Sequence, residues 1–424
     1  MATGRIYLDN AATSFPKPPE VYDAMMRYAR DIGASPGRGQ YAESRAGAAI
    51  IRRCREGLAK FLGNPAPNNI IFTLNTSDAL NLAIKGVVRQ AHLDAGFNSG
   101  RFGGRASIRL VTTSMDHNSV LRPFAALAEE GATVVHVPCD PRTGLVDLAA
   151  WREAITPENN SLATLAAINW VSNVTGTIQP VADAVSIARQ MGVPTLVDVA
   201  QGLGHLAFDQ HAIGADLVAF PGHKGLLGPQ GTGGLSITPG FESRLATTRE
   251  GGTGSIAEFD AQPATMPERF EAGSHNTMGI AGLAEGVAWL AARGIESIRA
   301  HELQLIERFL EACDRWDARD NMGGFQLIGP RDPALRVATF TLVHQLLSPS
   351  EVAALLEQQF GILARAGIHC APLAHRTMGT LDHPQGRGGT RVSFGPFVTQ
   401  ADVASLIDAL ATIDQDARSL TKER

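Results

Sequence analysis

A lysine and an aspartate follow two apolar runs in the middle of this sequence. Asp198 ends the run Thr195 to Val197, and Lys224 comes shortly after the run Leu217 to Phe220. A lysine at the end of a buried strand loses hydration, which lowers its pKa and leaves a neutral amine that can condense with an aldehyde. An aspartate on a neighbouring strand end can keep a pyridinium nitrogen protonated, so the pair suggests a pyridoxal phosphate (PLP) enzyme. Taken singly, Lys224 is also typical of a solvated loop and Asp198 of a helix cap.

The elements that must position these residues alternate between two kinds. Apolar runs typical of buried strands are separated by segments of helical spacing, such as Val181 to Met191. The strand-like runs are 70–72, 108–111, 133–137, 162–168, 195–197 and 217–220. This alternation predicts an α/β fold with a mainly parallel sheet covered by helices on both faces. Ligands of such sheets bind beyond the carboxyl ends of the strands, where Asp198 and Lys224 are expected.

The pattern changes after about residue 280, and two domains are predicted, a large one over 1–280 and a smaller α+β one over 281–424. The smaller part reads as helix, strand, helix, strand, helix over 282–310, 336–343, 350–360, 391–394 and 400–413. The N-terminal segment, although counted with the large domain, is expected to pack on the small one. Residues 94–107 are rich in glycine and predict a surface insertion.

Composition limits the function. The chain has 424 residues, 44% hydrophobic and 19% charged, with a formal net charge of −5. No basic cluster indicates nucleic-acid binding, and no apolar stretch has the length of a signal peptide or membrane span, so a cytoplasmic protein is expected. The four cysteines form no paired pattern, which argues against a disulfide framework or a metal site.

Seven segments carry a resemblance that covers about residues 5–413. In chain order they are YLDNAATS at 7–14, NTSDALN at 75–81, DHN at 116–118, VSNVTG at 171–176, VDVAQ at 197–201, GHK at 222–224 and RFEAG at 269–273. Their order is similar to that in cysteine desulfurases and selenocysteine lyases, which are class V aminotransferases. The resemblance implies the fold-type I PLP-dependent transferase architecture.

The resemblance also implies a role for each residue around the cofactor ring. Lys224 is expected to be the Schiff-base lysine and Asp198 the partner of the pyridinium nitrogen. His117 resembles the catalytic residue that stacks on the ring, and Gln201 the residue that reaches the ring hydroxyl oxygen. Asn173 resembles the residue near the ring and the substrate carboxylate, although alone it is typical of a turn.

The cofactor phosphate is expected at the start of a helix. Thr76 and Ser77 follow a predicted strand, where hydroxyls and backbone N–H groups can hold a phosphate, although hydroxyl residues are also ordinary helix caps. By resemblance His223 adds a donor, and Ser274 reaches the phosphate across a homodimer interface. Pro221 departs from the family, which has Ser or Thr there, so one phosphate contact is expected to be missing.

The predicted reaction depends on Cys370. Its surroundings, Arg365 to Pro372, are similar to the sulfur-accepting loop of the shorter-loop desulfurases. A partly ionised thiolate is a soft nucleophile that can take sulfur from a substrate cysteine, whereas most free cysteines are buried structural thiols. Arg391 resembles the arginine that binds the substrate carboxylate, which a planar guanidinium does with two parallel hydrogen bonds, and Arg365 is also expected to bind the substrate.

The sequence is therefore interpreted as a homodimeric, PLP-dependent cysteine desulfurase. It would convert L-cysteine to L-alanine and pass a persulfide from Cys370 to an acceptor protein. A selenocysteine lyase needs the same residues and is the nearest alternative. A transaminase or epimerase of the same fold, in which Cys370 is incidental, and a non-catalytic scaffold are the others.

Overall fold

The computed structural model describes residues 4–37, 39–96, 107–157, 162–254, 258–317 and 324–422. Most of the glycine-rich insertion expected at 94–107 lies outside these residues. The helices are α1 Pro19–Arg27, α2 Ala42–Leu62, α3 Thr76–Asp94, α4 Asn118–Glu129, α5 Leu148–Ile155, α6 Val181–Gln190, α7 Gln210–Ile213, α8 Thr277–Arg293, α9 Ile295–Asp317, α10 Pro349–Phe360, α11 Pro372–Thr377 and α12 Gln400–Lys422.

Seven strands form the main sheet, in the order β2-β8-β7-β6-β5-β3-β4. They are β2 Ile70–Thr73, β3 Arg109–Thr113, β4 Thr133–Val137, β5 Leu165–Asn169, β6 Thr195–Asp198, β7 Leu217–Pro221 and β8 Gly233–Ile237. Adjacent strands in the series β7, β6, β5, β3 and β4 pair in parallel. Strand β8 pairs antiparallel with both β7 and β2. The predicted mainly parallel sheet is confirmed, with β8 as an antiparallel strand that the sequence reading did not include.

Helices cover both faces of this sheet because its strands are apolar on both sides. Along β5, Ala166 and Ile168 belong to one buried core, and Leu165 and Ala167 belong to another. Side chains of α2, α5 and α6 complete the first core, and side chains of α3 and α4 complete the second. The chain therefore has the three-layer arrangement that a continuous apolar strand pattern predicts.

The C-terminal part has its own antiparallel sheet. Its strands are β9 Phe325–Ile328, β10 Thr339–His344, β12 Arg365–Gly367 and β13 Gly389–Ser393, in the order β12-β13-β10-β9. Helices α9, α10 and α12 pack on it around a third core, where Phe309 lies 4.6 Å from Phe340 between ring centroids. A boundary at residue 280 stays a prediction.

The N-terminal segment joins this C-terminal part. Strand β1 Ile6–Tyr7 pairs in parallel with β11 Ile362–Leu363, and Leu8 is fully buried in the third core. The backbone of Asp9 forms an isolated parallel β-bridge with that of Ser393 in β13. Residues 6–9 are thereby held against β11 and β13.

One predicted helix is two helices. The spacing over 282–310 predicts a single helix, but α8 ends at Arg293 and α9 begins at Ile295. Gly294 between them has a φ of +82°, a left-handed backbone that glycine adopts without strain. Among the residues that the structure describes, no helix is both long and apolar enough to cross a membrane.

Candidate active site

A cavity of about 120 Å³ lies beyond the carboxyl ends of β5, β6 and β7. Eight residues predicted from the sequence line it: Thr76, Ser77, His117, Asn173, Asp198, Gln201, His223 and Lys224. These residues come from separate parts of the chain, and the parallel strands bring their loops to one edge of the sheet. The other predicted residues, Ser274, Arg365, Cys370 and Arg391, are not among those that line this cavity.

Lys224 occupies a tight turn directly after β7. The turn is closed by a hydrogen bond from Gly228 N–H to Gly222 O of 2.7 Å and by one from Leu227 N–H to Lys224 O of 2.9 Å. A Cβ at Gly225 would overlap the carbonyl oxygen of Leu203, so this close backbone packing requires glycine. Burial lowers the pKa of Lys224 to about 8, while Asp198 acts in the opposite direction. The amine is thus neutral at a pH where an ordinary lysine is charged.

Asp198 is the last residue of β6 and is 6% exposed. Its carboxylate Oδ1 accepts a hydrogen bond of 2.9 Å from the N–H of Ala200. Burial raises the pKa of Asp198, and the Ala200 hydrogen bond and the charge of Lys224 oppose that rise. A buried carboxyl at the floor of the cavity can hold a proton shared with a basic nitrogen.

His117 is the N-cap of α4. Its Nδ1 accepts a hydrogen bond of 3.1 Å from the backbone N–H of Ser119, so the proton of the neutral ring is on Nε2. Burial, together with the positive charges of Lys224 and Arg365, lowers the pKa of His117 to about 3. The cavity therefore contains a neutral imidazole with a fixed tautomer.

The N-terminus of α3 points its first residues at the cavity. Asn75 caps the helix by accepting a hydrogen bond of 2.9 Å from the N–H of Asp78, so this cap does not use the N–H groups of Thr76 and Ser77. The Ser77 hydroxyl lies 2.6 Å from that of Ser119. Helix N-termini attract anions, and this one has two hydroxyls beside it.

His223 adds a further group on this side. Its ring Nδ1 is buried and has no hydrogen-bond partner among the described residues. Burial lowers the pKa of His223 to about 4. Its backbone carbonyl accepts hydrogen bonds from Ser14 N–H at 3.0 Å and from Lys17 Nζ at 3.3 Å. An orphaned ring nitrogen beside a helix N-terminus fits a phosphate, which would supply the missing partner.

Gln201 lines the cavity, and its side-chain amide already makes a hydrogen bond within the protein. Its Nε2 donates a hydrogen bond of 2.9 Å to the carbonyl of Ala11. The structure thus uses one amide proton of Gln201 to attach the N-terminal segment to the loop after β6. Its predicted contact with the ring hydroxyl oxygen stays a prediction.

Arg391 is buried on β13, 1% exposed, and is held from two sides. Its Nη2 donates to Asp9 Oδ1 at 2.7 Å, and its Nη1 donates to the carbonyl of Asn173 at 3.2 Å. The Nε of Arg391 is buried without a hydrogen-bond partner among the described residues. Arg365 stands opposite Arg391 in the β12–β13 register. The two arginines can therefore offer donors to a carboxylate, with Asp9 balancing one of the charges.

Cys370 lies on the loop between β12 and α11 and is exposed, whereas Cys54, Cys139 and Cys313 are buried. The carbonyl of Cys370 accepts a hydrogen bond of 2.8 Å from the N–H of Asn118, the residue after the cavity-lining His117. This bond fixes the cysteine loop beside the cavity.

Ser274 lies elsewhere in the subunit. It is exposed and lines a separate cavity of about 90 Å³ that also contains Thr73, Thr232 and Arg249. Ser274 is therefore not among the described residues that line the first cavity, and its expected role across a dimer interface stays a prediction.

The sequence analysis missed six residues of the site. Five of them line the cavity: Asn75, Ser119, Asn169, Val171 and Ala200. The sixth, Asp9, forms the ion pair with Arg391. Asp9 belongs to the YLDNAATS segment, but nothing in the sequence indicates its partner, because 382 positions separate the two residues. The only sequence signal for Asp9 was its place in the first of the seven segments that carry the family resemblance.

Comparisons with known proteins agree with this geometry. Residues 6–406 match the family model "Aminotransferase class-V". A probable cysteine desulfurase of Methanothermobacter thermautotrophicus is 31% identical over 96% of this chain and 94% of its own length, and one of Pseudomonas aeruginosa is 35% identical over 96% and 94%. The apo structure of a cysteine desulfurase from Thermococcus onnurineus superposes with a TM-score of 0.85 at 30% identity, covering 97% of this chain and 95% of that one. Cysteine desulfurases have the fold-type I architecture, and enzymes of this family generally use PLP. The chain belongs to the class V aminotransferase family of enzymes.

Proposed function

We propose that this protein is a PLP-dependent cysteine desulfurase that converts L-cysteine to L-alanine. The proposal is supported by the names of its relatives and by the position of Cys370, whose exposed thiol lies on a loop hydrogen-bonded to Asn118 and Asn173. That loop position is the observation on which the assignment depends, because the other cavity residues suit many reactions of this family.

The residues present fit PLP. Lys224 would bond to the aldehyde carbon, Asp198 would hold the proton on the pyridine nitrogen, and His117 would cover one face of the ring. Thr76, Ser77 and the orphaned Nδ1 of His223 would hold the phosphate. When bound, PLP supplies an electron sink for the carbon that bears the amino group. Asn173 and Gln201 complete the proposed set.

Lys224 and the arginines would act on the substrate directly. The Nζ of Lys224, neutral above a pH of about 8, can accept the proton from the substrate α-carbon. Arg391 would bind the substrate carboxylate through its unpartnered Nε and through Nη2, with Arg365 as a second cation. Asp9 would keep Arg391 oriented while the site is empty of substrate.

Cys370 would take the sulfur. Its thiolate attacks the sulfur of the substrate, so an S–S bond forms while the bond between that sulfur and the substrate Cβ breaks. The electron pair of the broken bond stays with the carbon, which then gains a proton and leaves as part of alanine. Cys370 keeps the sulfur as a persulfide, and its exposure suits delivery to a sulfur-acceptor protein.

A homodimer is part of the proposal. Ser274 is exposed and lies away from the cavity of its own subunit, so it would meet the phosphate of the partner subunit. Sedimentation of the purified protein tests this point separately from the chemistry.

The function is tested by a substrate panel on the wild type and on Cys370→Ser. Sulfide, selenide, alanine and keto acid are measured with L-cysteine, L-selenocysteine and common amino donors, in the presence of reductant. The proposal expects alanine and sulfide from L-cysteine in the wild type and loss of both in the variant. A variant that keeps activity only toward L-selenocysteine would indicate a lyase, and keto acid production by both proteins would indicate a transaminase.

A further inference from the structure

The loop that carries Cys370 has a backbone conformation that needs support. His369 and Cys370 have φ values of +50° and +57°, so two consecutive residues other than glycine are left-handed. Residues with a Cβ rarely adopt this region, and two in succession persist only where surrounding contacts impose it.

Backbone hydrogen bonds supply part of that support. The side chain of Asn173 donates to the carbonyl of His369 at 2.7 Å, and the N–H of Asn118 donates to the carbonyl of Cys370 at 2.8 Å. Asn118 is the first residue of α4 and Asn173 lies in the loop after β5, so the two bonds join the cysteine loop to segments beside the cavity. Neither bond restrains the loop from the side of α11.

A chain of three side chains restrains the loop from the side of α11. His369 Nδ1 lies 3.2 Å from His375 Nε2, and His375 Nδ1 lies 2.7 Å from the hydroxyl of Thr380. At the other end, His369 Nε2 lies 3.4 Å from the carbonyl of Arg365. His369, His375 and Thr380 are 4%, 0% and 2% exposed, so water does not compete for these contacts.

The carbonyl of Arg365 fixes the direction of every bond. A carbonyl only accepts, so His369 Nε2 carries the proton and His369 Nδ1 is an acceptor. His375 Nε2 must then donate to it, which makes His375 Nδ1 an acceptor. The Thr380 hydroxyl therefore donates to Nδ1 at 2.7 Å rather than to the carbonyl of His375, which lies 3.3 Å away. Each imidazole needs one proton and no charge. Burial favours that state, since it lowers the pKa of His375 to about 4 and also lowers that of His369.

The same histidine is joined to the backbone around it. The N–H of His375 donates to the carbonyl of Ala371 at 3.1 Å, and the carbonyl of His375 accepts from the N–H of Thr380 at 2.8 Å. The chain therefore connects the residue beside the nucleophile to α11 and to the segment after it.

We propose that His375 and Thr380 are positioning residues for sulfur transfer, which hold the Cys370 thiol in place through His369. This inference rests on the proposed function of Cys370 as the sulfur acceptor. The alternative is that His375 is a core histidine that contributes only to folding. If Thr380 positions the cysteine loop, loss of its hydroxyl should lower kcat and speed hydrogen exchange in the loop. If His375 contributes only to folding, neither quantity should change.

Thr380→Val removes the hydroxyl and keeps the shape, while Thr380→Ser keeps the hydroxyl. Thr377→Val is the matched control, since the Thr377 hydroxyl is 3.0 Å from Ser114 and outside the chain of histidines. The measurements are kcat and KM for L-cysteine, and amide hydrogen exchange over residues 367–373 without substrate. We expect Thr380→Val to lower kcat about tenfold with KM within about twofold, and to speed exchange in this peptide. Thr380→Ser should restore most of both.

His375→Leu and His375→Gln form a second pair, because the glutamine amide can still donate toward His369. We expect kcat to fall more in the leucine variant than in the glutamine variant. Equal kcat values for Thr380→Val, Thr380→Ser and wild type would overturn the inference, as would loop exchange that is unchanged in Thr380→Val. Failure of the proposed function is seen separately, as sulfide release that survives in Cys370→Ser.

Discussion

The side-chain amide of Asn173 donates a hydrogen bond of 2.7 Å to the backbone carbonyl of His369. Asn173 lines the cavity and His369 precedes the exposed cysteine, so one bond joins the proposed cofactor site to the proposed nucleophile. Because 196 positions separate the two residues, the contact exists only in the folded chain.

Asn173→Ala should loosen the cysteine loop. The variant leaves the carbonyl of His369 without this donor, at an expected cost of about 1–3 kcal/mol in the free energy of unfolding. Urea denaturation measures the cost, and hydrogen exchange over residues 367–373 locates it. Asn81→Ala is the control, since Asn81 is half-buried and its hydrogen bond to the Ser77 carbonyl lies within α3. Equal destabilisation by the two variants would contradict a special role for Asn173.

Lys224→Ala should abolish covalent capture of PLP. The wild type is expected to absorb in the visible and to carry the cofactor on Lys224 after borohydride reduction, as peptide mapping would show. Lys17 is a demanding control, because burial lowers its pKa to about 8 as well. Lys17→Arg should therefore keep the adduct. An adduct that persists in Lys224→Ala would assign the reaction to another amine.

Capture of PLP should depend on pH through Lys224. Because burial lowers the pKa of this lysine to about 8, about half of the amine is neutral at pH 8, against fewer than about 1 in 100 for an ordinary lysine. The rate of adduct formation by the cofactor-free protein should rise with pH and level off above about 8. Stopped-flow absorbance between pH 6.5 and 10 measures it. A rate that still rises steeply at pH 9.5 would show that the lysine is not perturbed.

Much of the large sheet could be predicted from the sequence, because its strands are continuous apolar runs separated by amphipathic helices. Strand β8, Gly233–Ile237, was missed since its first two residues are glycines. Both glycines are required by close packing, as a Cβ at Gly234 would overlap the ring of Phe220. Local pattern reading does not detect a requirement of this kind.

The site residues also fall into those that could be predicted from the sequence and those that could not. Lys224 and Asp198 could be found because Asp198 ends a strand and Lys224 comes shortly after one, where parallel sheets bind ligands. Asp9 and His375 could not, because their roles depend on partners rather than on strand position. Arg391 is 382 positions from Asp9, and His375 reads as an ordinary residue of a short helix until Thr380 and His369 are seen on either side.

Pro221→Ser should slow the loss of PLP. Pro221 is the buried last residue of β7 and pairs with Gly233, at a position where the resemblance leads us to expect a Ser or Thr hydroxyl. A serine there would add one hydrogen bond to a charged phosphate, worth about 1.5 kcal/mol or more, or roughly a tenfold lower off-rate. Dialysis against buffer, followed by visible absorbance, measures the off-rate. Pro221→Ala controls for the change in backbone, and an equal effect of alanine and serine would refute a hydroxyl contact.

The location of the transferred sulfur shows whether Cys370 is the sulfur acceptor. The wild type is exposed briefly to L-cysteine, blocked with an alkylating agent and mapped by mass spectrometry. Cys370 is the exposed thiol, and burial raises the pKa of Cys54 to about 12 and that of Cys139 to about 11, so these two remain protonated. We expect one additional sulfur on the peptide that contains Cys370. Sulfur on Cys54, Cys139 or Cys313, or on no cysteine while alanine is formed, would contradict this expectation.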